Sequence, residues 1–266
     1  MTRILVSLAV GVVLAITTRA ADCVAQPQDE LGKKLDAIDR LRSGTSTPLG
    51  RIESESAMLL QDHTKPEEQG RIYYQVAHSY AQSGISRNGN AAKVIEYAQK
   101  ALACPLDPEL RLHAYVYWGD AIMASDRTRP TSLYRPAAAR VFLAGLKEAR
   151  QYNIPDVSPK RPPMFVPNAP MDEAEYARAK TAYFWEVQRV EKVRKLHFSR
   201  AVLENQLISS YTRPPYVPEE LRKIAQEVLG DGPEVEKLVA ELALRQGMSV
   251  KERGQRFMAR VRESFP

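Results

Sequence analysis

Apolar residues recur at intervals of three and four along most of this chain, and sustained alternation of apolar and polar residues occurs nowhere. Leu31, Leu35 and Ile38 follow the helical interval, which places their side chains on one face of an amphipathic helix over residues 29–41. The same spacing predicts another helix between residues 49 and 62. Because the helical period persists and the strand period is missing, the sequence predicts an all-α fold.

Composition places the chain among ordinary globular proteins. Of its 266 residues, 44% are hydrophobic and 26% are charged, which excludes a wholly disordered chain, a collagen-like repeat and a disulfide-dense mini-protein. This length is sufficient for one large domain or two small ones with sizeable cores. The net charge of +6 is only mildly basic and does not indicate a dedicated polyanion binder.

The first 25 residues are typical of a secretory signal peptide. Arg3 precedes an apolar run of thirteen residues, 4–16, which is shorter than the about 20 residues needed to span a bilayer. Small residues that suit signal cleavage follow at Ala20, Ala21 and Ala25, of which Ala25 is preferred here. We therefore expect an exported protein, periplasmic or secreted, with no transmembrane segment in the mature chain. A membrane anchor or a buried helix is the alternative.

Cysteine usage bears on lipidation and on disulfide formation. Cys23 follows the apolar run, but Asp22 precedes it where lipid attachment requires a small residue, so we do not expect a lipid anchor. If cleavage follows Ala25, only Cys104 remains in the mature chain. A single cysteine forms no intramolecular disulfide. Its place at a predicted helix end favours burial, and a nucleophile or an intermolecular bridge is the alternative.

Proline and glycine mark the boundaries between the predicted elements. Six prolines lie between Pro155 and Pro170, which predicts an extended linker or a strap across the surface. The polar stretch 126–136 is predicted to be an insertion. The resulting division has a signal peptide at 1–25, N-terminal helices at 26–65, a hairpin region at 66–154, the proline-rich linker at 155–170 and a helical C-terminal region at 171–266.

The C-terminal region is expected to begin with one long helix. Residues 171–211 contain neither proline nor glycine, which allows a single helix of about 40 residues and 60 Å. Three shorter helices are predicted after it, at 218–229, 233–246 and 249–263. Ser249 and Glu252 form a capping-box pattern at the start of the last one.

Within residues 71–149, the same pattern of aromatic, aliphatic and small residues occurs twice, once in each of two predicted helix pairs. The matching positions of the first helices are Tyr73, Val76, Ala77 and Tyr80, and then Tyr115, Trp118, Gly119 and Ile122. Those of the second helices are residues 94–102, and then Ala138, Phe142, Gly145 and Leu146. This pattern resembles the tetratricopeptide repeat, in which a small residue lets two helix axes approach closely. The resemblance implies a right-handed superhelical stack of α-hairpins, with 29–62 as a weaker preceding hairpin.

The pattern also departs from the family. Ala77 and Gly119 are separated by 42 residues, whereas the usual repeat length is 34. The resemblance covers under a third of the chain. An α-hairpin stack that belongs to no repeat family is therefore the alternative.

The resemblance implies that a peptide or protein binds along the concave face, which the first helices line. The residues expected on that face are Arg71, Tyr74, His78 and Gln82 of the first hairpin and His113, Val116, Asp120 and Ala124 of the second. This mixed polar and aromatic surface suits an extended peptide. The alternative is that so few repeats form a groove too small to bind a partner.

No sequence pattern for catalysis, cofactor binding or metal binding occurs. The four histidines are never spaced four apart, and there is no His-Glu-x-x-His pattern. Glycine-rich nucleotide-binding motifs and the Gly-x-Ser-x-Gly motif are also missing. His78 and Asp120 could meet across neighbouring hairpins, but the sequence places no serine or cysteine nucleophile beside them. We therefore predict a protein that is not an enzyme and has no cofactor or metal site.

Two features of the long helix remain. Its basic residues form either a solvated face or a contact with an anionic envelope surface: Arg189, Lys192, Arg194, Lys195 and Arg200. Nucleic acid is not expected, because aromatic residues do not interleave with these charges. Tyr183, Phe184 and Trp185 are consecutive, so they point in three directions and at least one leaves the main packing face.

These observations together predict an exported adaptor or scaffold of the cell envelope that binds a protein or peptide. Two alternatives come from other classes of function. One is a structural protein that assembles into homo-oligomers through its long helix. The other is a hydrolase that acts on an envelope polymer.

Overall fold

A computed structural model describes residues 30–43, 49–85, 90–125, 131–155, 159–166, 172–212 and 217–264. The predicted signal peptide, with its cleavage sites and Cys23, lies outside the described residues. The described chain is all-helical and contains no strand, which confirms the predicted fold class. None of its helices is both long enough and apolar enough to cross a membrane.

The described residues form ten α-helices. They are α1 (Glu30–Ser43), α2 (Leu49–Asp62), α3 (Pro66–Gln82), α4 (Asn90–Leu102), α5 (Pro108–Ser125), α6 (Thr131–Ala149), α7 (Glu173–Tyr211), α8 (Pro218–Leu229), α9 (Pro233–Arg245) and α10 (Val250–Ser264). A short 3₁₀ turn, Arg150–Tyr152, follows α6.

Local sequence accounts for most helix starts. Four helices begin with proline, which lacks the amide hydrogen that the first turn leaves unbonded. The Asp172 side chain accepts a hydrogen bond from the amide of Glu175 at 2.7 Å and so caps α7. The capping box of α10 is confirmed. The Ser249 amide donates to Glu252 Oε2 at 2.6 Å, and the Glu252 amide donates to Ser249 Oγ at 3.3 Å.

The predicted insertion over 126–136 is wrong in its second half, because α6 already begins at Thr131. Pro136 lies in the second turn of α6, where its missing amide hydrogen removes a single backbone hydrogen bond. Ala138, Phe142 and Leu143 are buried in the core, and this packing outweighs the loss.

The first helices of successive helix pairs lie side by side. Helices α1, α3 and α5 are in contact in that order, and α7 packs against α5 and α6. The Gln75 Nε2 group of α3 donates to Asp39 Oδ1 of α1 at 3.2 Å. We call α1, α3 and α5 the row of first helices. The C-terminal half of α7 takes the next position in this row, although α7 comes after the proline-rich segment in the sequence.

The described residues form four hydrophobic clusters, two of which lie between α3, α4 and α5. The largest one joins helices α5 to α9 and includes Phe142, Leu203, Leu207 and Leu221. The predicted hairpin region and the C-terminal region therefore share one core. A smaller cluster, centred on Ile52 and composed of residues from α1, α2 and α3, closes the N-terminal end.

Helix α7 is a single helix of 39 residues, about 58 Å long, which confirms the prediction of one long helix. Its residues 173–189, the outer segment, contain no fully buried side chain. Val190 is the first buried residue of the helix. Packing on the core therefore begins only in the second half of α7.

The described part of the proline-rich segment, residues 159–166, lies against the outer segment. The Phe165 ring contacts the rings of Tyr176 and Tyr183, each at a centroid distance of 5.7 Å. Arg161 pairs with Glu191, and Arg194 Nη1 donates to the Pro159 carbonyl at 2.8 Å. Of the two predicted forms, linker or strap, these residues take the form of a strap.

Candidate functional site

The eight residues predicted to line a groove lie on α3 and α5, but several of them form contacts between helices. Tyr74 and Val116 are buried, with only 9% and 6% of their surface exposed. Arg71, His78, His113, Asp120 and Ala124 are partly exposed, and Gln82 is exposed. The eight side chains therefore do not line one open groove.

A partly buried chain of hydrogen bonds links α3, α5 and α7. Tyr74 Oη lies 3.4 Å from His113 Nδ1, and His113 Nε2 lies 3.0 Å from Ser199 Oγ. Ser199 donates its single proton to the Lys195 carbonyl at 2.9 Å, so its oxygen accepts from His113 Nε2–H. Nδ1 of the neutral ring then accepts from the Tyr74 hydroxyl. Burial lowers the pKa of His113 and raises that of Tyr74, which keeps both groups uncharged.

A second chain runs from α1 through α3 to α5. His78 Nδ1 is 2.7 Å from the Tyr117 hydroxyl, and His78 Nε2 is 3.7 Å from Asp39 Oδ1. The ring of His78 also lies within 6.1 Å of Tyr74 and 5.6 Å of Tyr117. The sequence suggested that His78 could meet Asp120. In the structure, His78 contacts Tyr117 and Asp39, and Asp120 is hydrogen-bonded to a residue of α7.

Asp120 faces the long helix. Gln206 Nε2 of α7 donates to Asp120 Oδ2 at 3.3 Å. Burial disfavours the charged form of this carboxyl and raises its pKa to about 7. His113 and Asp120, which the resemblance assigned to a partner-binding face, therefore contact the chain's own α7. The reason is that α7 occupies the next place in the row of first helices.

The pair Ser199–His113 has the residue types of a nucleophile and a base, but its geometry does not serve catalysis. Ser199 is completely buried, and its proton is committed to the Lys195 carbonyl. A substrate has no access to this oxygen, so the pair is a link between α5 and α7. Among the residues that the structure describes, no three His, Cys, Asp or Glu side chains are grouped to hold a metal ion.

Sequence reasoning missed four residues of these networks, namely Asp39, Tyr117, Ser199 and Gln206. Tyr117 had a detectable signal, because it follows His78 by 39 residues, and His113 follows Tyr74 by the same interval. Ser199 and Gln206 each lie 86 residues beyond their partners and across the strap. No local pattern indicates such pairs.

Most basic residues of the long helix are already paired. Arg189 contacts Glu186, Arg194 contacts Glu191, Lys195 contacts Glu109 and Arg200 contacts Glu204. These ion pairs reduce the net positive charge that the five predicted cations would present to an anionic surface.

The C-terminal arginines fasten α10 to the body. Glu241 of α9 accepts hydrogen bonds from Arg256 and from the fully buried Arg245, at 2.8–2.9 Å. Burial opposes ionisation of Glu241, but these bonds outweigh it and lower its pKa to about 2. Arg260 bonds Glu204 of α7 at 3.0 Å. Arg256 and Arg260 of α10 thus have a structural role.

Apolar side chains are exposed on the strap and the outer segment. Met164 is 84% exposed and Trp185 is 59% exposed, and Val166 and Tyr176 are exposed as well. Scattered apolar residues are normal on a protein surface, but this group lies on one helix and the strap that covers it. It is a second candidate surface, separate from the row of first helices.

Comparison of the chain with protein-family models, with curated proteins and with solved structures found no match.

Proposed function

We propose that this protein is an exported, non-enzymatic protein–protein interaction module, an adaptor or scaffold of the cell envelope. The observation that carries the proposal is the row Asp39, His78 and Tyr117 across three neighbouring helices, in which His78 is hydrogen-bonded to Tyr117 and lies 3.7 Å from the Asp39 carboxylate. Side chains held in place before binding lose little conformational entropy when a peptide docks. The pattern of residues 1–25 supports export.

The binding surface we propose is the part of the predicted face that stays accessible on α3. Arg71, His78 and Gln82 are spaced by seven and four residues, so they share one side of this helix. Arg71 and Gln82 would present a guanidinium and an amide to an extended chain, on either side of the His78 ring along the helix. These groups match the carbonyls and carboxylates of a peptide.

The test uses the full chain with a C-terminal tag, purified after export from the cells that express it. An envelope extract is passed over the wild-type protein and over the double variant Arg71→Ala/Gln82→Ala. We expect about tenfold weaker retention of the partner by the variant, as for the loss of two polar contacts. Tyr74 is not used, because truncating this buried side chain would test folding and not binding.

The matched control is the double variant Gln99→Ala/Lys223→Ala, which removes one amide and one cation from exposed positions on α4 and α8. It should retain the partner as the wild type does. Circular dichroism and thermal unfolding must be unchanged in both variants. Equal retention by the α3 variant and the control would contradict the proposed surface.

The alternative of a self-assembling structural protein concerns a different surface, the outer segment of α7. The hydrolase alternative has no supporting group of accessible residues in the described part of the chain, where the one serine–histidine pair noted above is sealed from solvent.

A further inference from the structure

The outer segment of α7 has an exposed face that no described element covers. Ala177, Arg178, Thr181, Ala182 and Trp185 line a shallow depression there. The strap lies elsewhere on the helix, since Phe165 contacts Tyr176 and Tyr183. A large exposed indole therefore stands at the edge of a surface of small residues.

We propose that this face binds a second copy of the same chain, with the two α7 helices antiparallel and crossing at Ala182. In this arrangement, residues at equal distances before and after Ala182 lie opposite each other in the two copies. The small residues let the helix axes approach closely, and the face becomes self-complementary, as a two-fold interface requires. This inference does not depend on the proposed function, because the two surfaces are separate.

Charge complementarity favours this direction and this register. Arg178 stands four residues before Ala182, and Glu186 stands four after it. Glu175 stands seven before, and Arg189 stands seven after. Each of these four residues thus lies opposite the other sign in the second copy. Glu173 would lie opposite Glu191, whose charge is already paired with Arg161 and Arg194. In a parallel pair, each charged residue would lie beside the same residue of the second copy, and these like charges would repel each other.

Glu186 and Arg189 already pair within one helix at 2.7 Å, and both remain accessible. In the dimer they would add contacts to Arg178 and Glu175 of the second copy, giving a network of alternating charges. A network has more stabilising potential than an isolated surface pair. Trp185 would lie beside Arg178 of the second copy, an arrangement that allows a cation–π contact.

The length of the exposed helix fits the same centre. The outer segment begins at Glu173, and the first buried residue is Val190, so Ala182 lies next to the middle of the exposed length. Two antiparallel copies centred there overlap along their whole outer segments. The N-terminal end of each outer segment then lies near Val190 of the second copy, where packing on the core begins. A centre one turn away would leave part of the helix unpaired.

The first test measures the mass of the full chain against concentration by sedimentation equilibrium. We expect a monomer–dimer equilibrium with a Kd of the order of 10–100 µM, because one helix pair is a small interface. Trp185→Ala should raise the Kd by about tenfold. Leu244→Ala, which removes an equally exposed side chain from α9, is the matched control and should leave the Kd unchanged.

Charge reversal tests the register. Arg178→Glu should weaken association, and the double variant Arg178→Glu/Glu186→Arg should restore it. In a chain with Cys23→Ser and Cys104→Ser, Ala182→Cys should form a disulfide-linked dimer on mild oxidation. Lys180→Cys, on another side of the helix, should not. A chain that stays monomeric at about 1 mM, or a double variant without rescue, would overturn the proposal.

Vesicles of anionic phosphatidylglycerol distinguish a membrane from a second copy. Binding to them that is lost in Trp185→Ala, with the chain monomeric throughout, would assign the face to a lipid surface and overturn the proposal. Self-association that persists without vesicles and shows charge-reversal rescue supports it.

Discussion

At the scale of single residues, burial decides which groups near the first-helix row carry charge. His113 stays neutral because burial lowers its pKa, and Asp120 has a pKa of about 7 for the same physical reason. The sequence identified both residues as neighbours of the same surface. It did not reveal their protonation states, because these depend on α7, which closes over them from a distant part of the chain.

Asp120→Asn should stabilise the protein at neutral and alkaline pH. The folded pKa of Asp120 is raised above the unfolded value, so the folded state binds the extra proton, and stability falls as pH rises from about 4 to 7. Asparagine keeps an acceptor for Gln206 without the charge. We expect a gain of roughly 2 kcal/mol at pH 8, allowing for partial exposure. Urea unfolding between pH 4 and 8 measures it.

The control for this prediction is Asp231→Asn, an exposed carboxyl between α8 and α9. Its stability should follow the wild-type pH profile. If Asp120→Asn keeps the wild-type slope between pH 4 and 7, the buried carboxyl is not the cause of that slope.

At the scale of helices, small residues set how closely neighbours approach. The repeat resemblance predicted this role for Gly119, and the structure confirms it, because a β-carbon there would overlap the Phe142 ring of α6. Gly145 similarly leaves only 2.9 Å between an added β-carbon and Tyr115 of α5. In contrast, the sequence placed the start of α6 too late. Pro136 is a local signal against helix, and only burial of the following residues outweighs it.

Gly119→Ala should destabilise the protein by roughly 1–3 kcal/mol, the range for overpacking in a dense core. The overlap is with a buried aromatic ring, which cannot turn aside as a flexible side chain would. The change in free energy of unfolding in urea measures the effect.

Gly254→Ala is the matched control for Gly119→Ala, since nothing lies within 4 Å of an added β-carbon there. Alanine has the higher helix propensity, so this variant should gain about 0.5–1 kcal/mol. Similar losses in both variants would mean that the close approach of α5 and α6 does not limit residue size.

At the scale of the whole molecule, the C-terminal half of α7 makes the hairpins and the C-terminal helices one structural unit. Leu203 packs against Gly145 of α6 and belongs to the core that reaches α9. The N-terminal cluster around Ile52 is formed by other residues. The described chain thus has a large core with residues from before and after the strap, a smaller one among α1, α2 and α3, and two small clusters between α3, α4 and α5.

Leu203→Ala and Ile52→Ala should therefore lower the hydrogen-exchange protection of backbone amides in different helices. Both side chains are almost completely buried, so each truncation should cost roughly 2–5 kcal/mol locally. Hydrogen exchange followed by mass spectrometry should show lost protection in α5 to α9 for Leu203→Ala. For Ile52→Ala the loss should be confined to α1, α2 and α3. Identical patterns in the two variants would show that the clusters unfold together.

The sequence by itself determined the helical fold class, the start of most helices, the single long helix and the capping box of α10. These features depend on residues within a few positions of one another, so the chain encodes them locally. Tertiary structure alone decided that α7 lies against α5, that Ser199 and Gln206 meet His113 and Asp120, and that residues 159–166 of the proline-rich segment form a strap. Such pairings join residues far apart in the chain, and they arise because each apolar helix face must be buried against another.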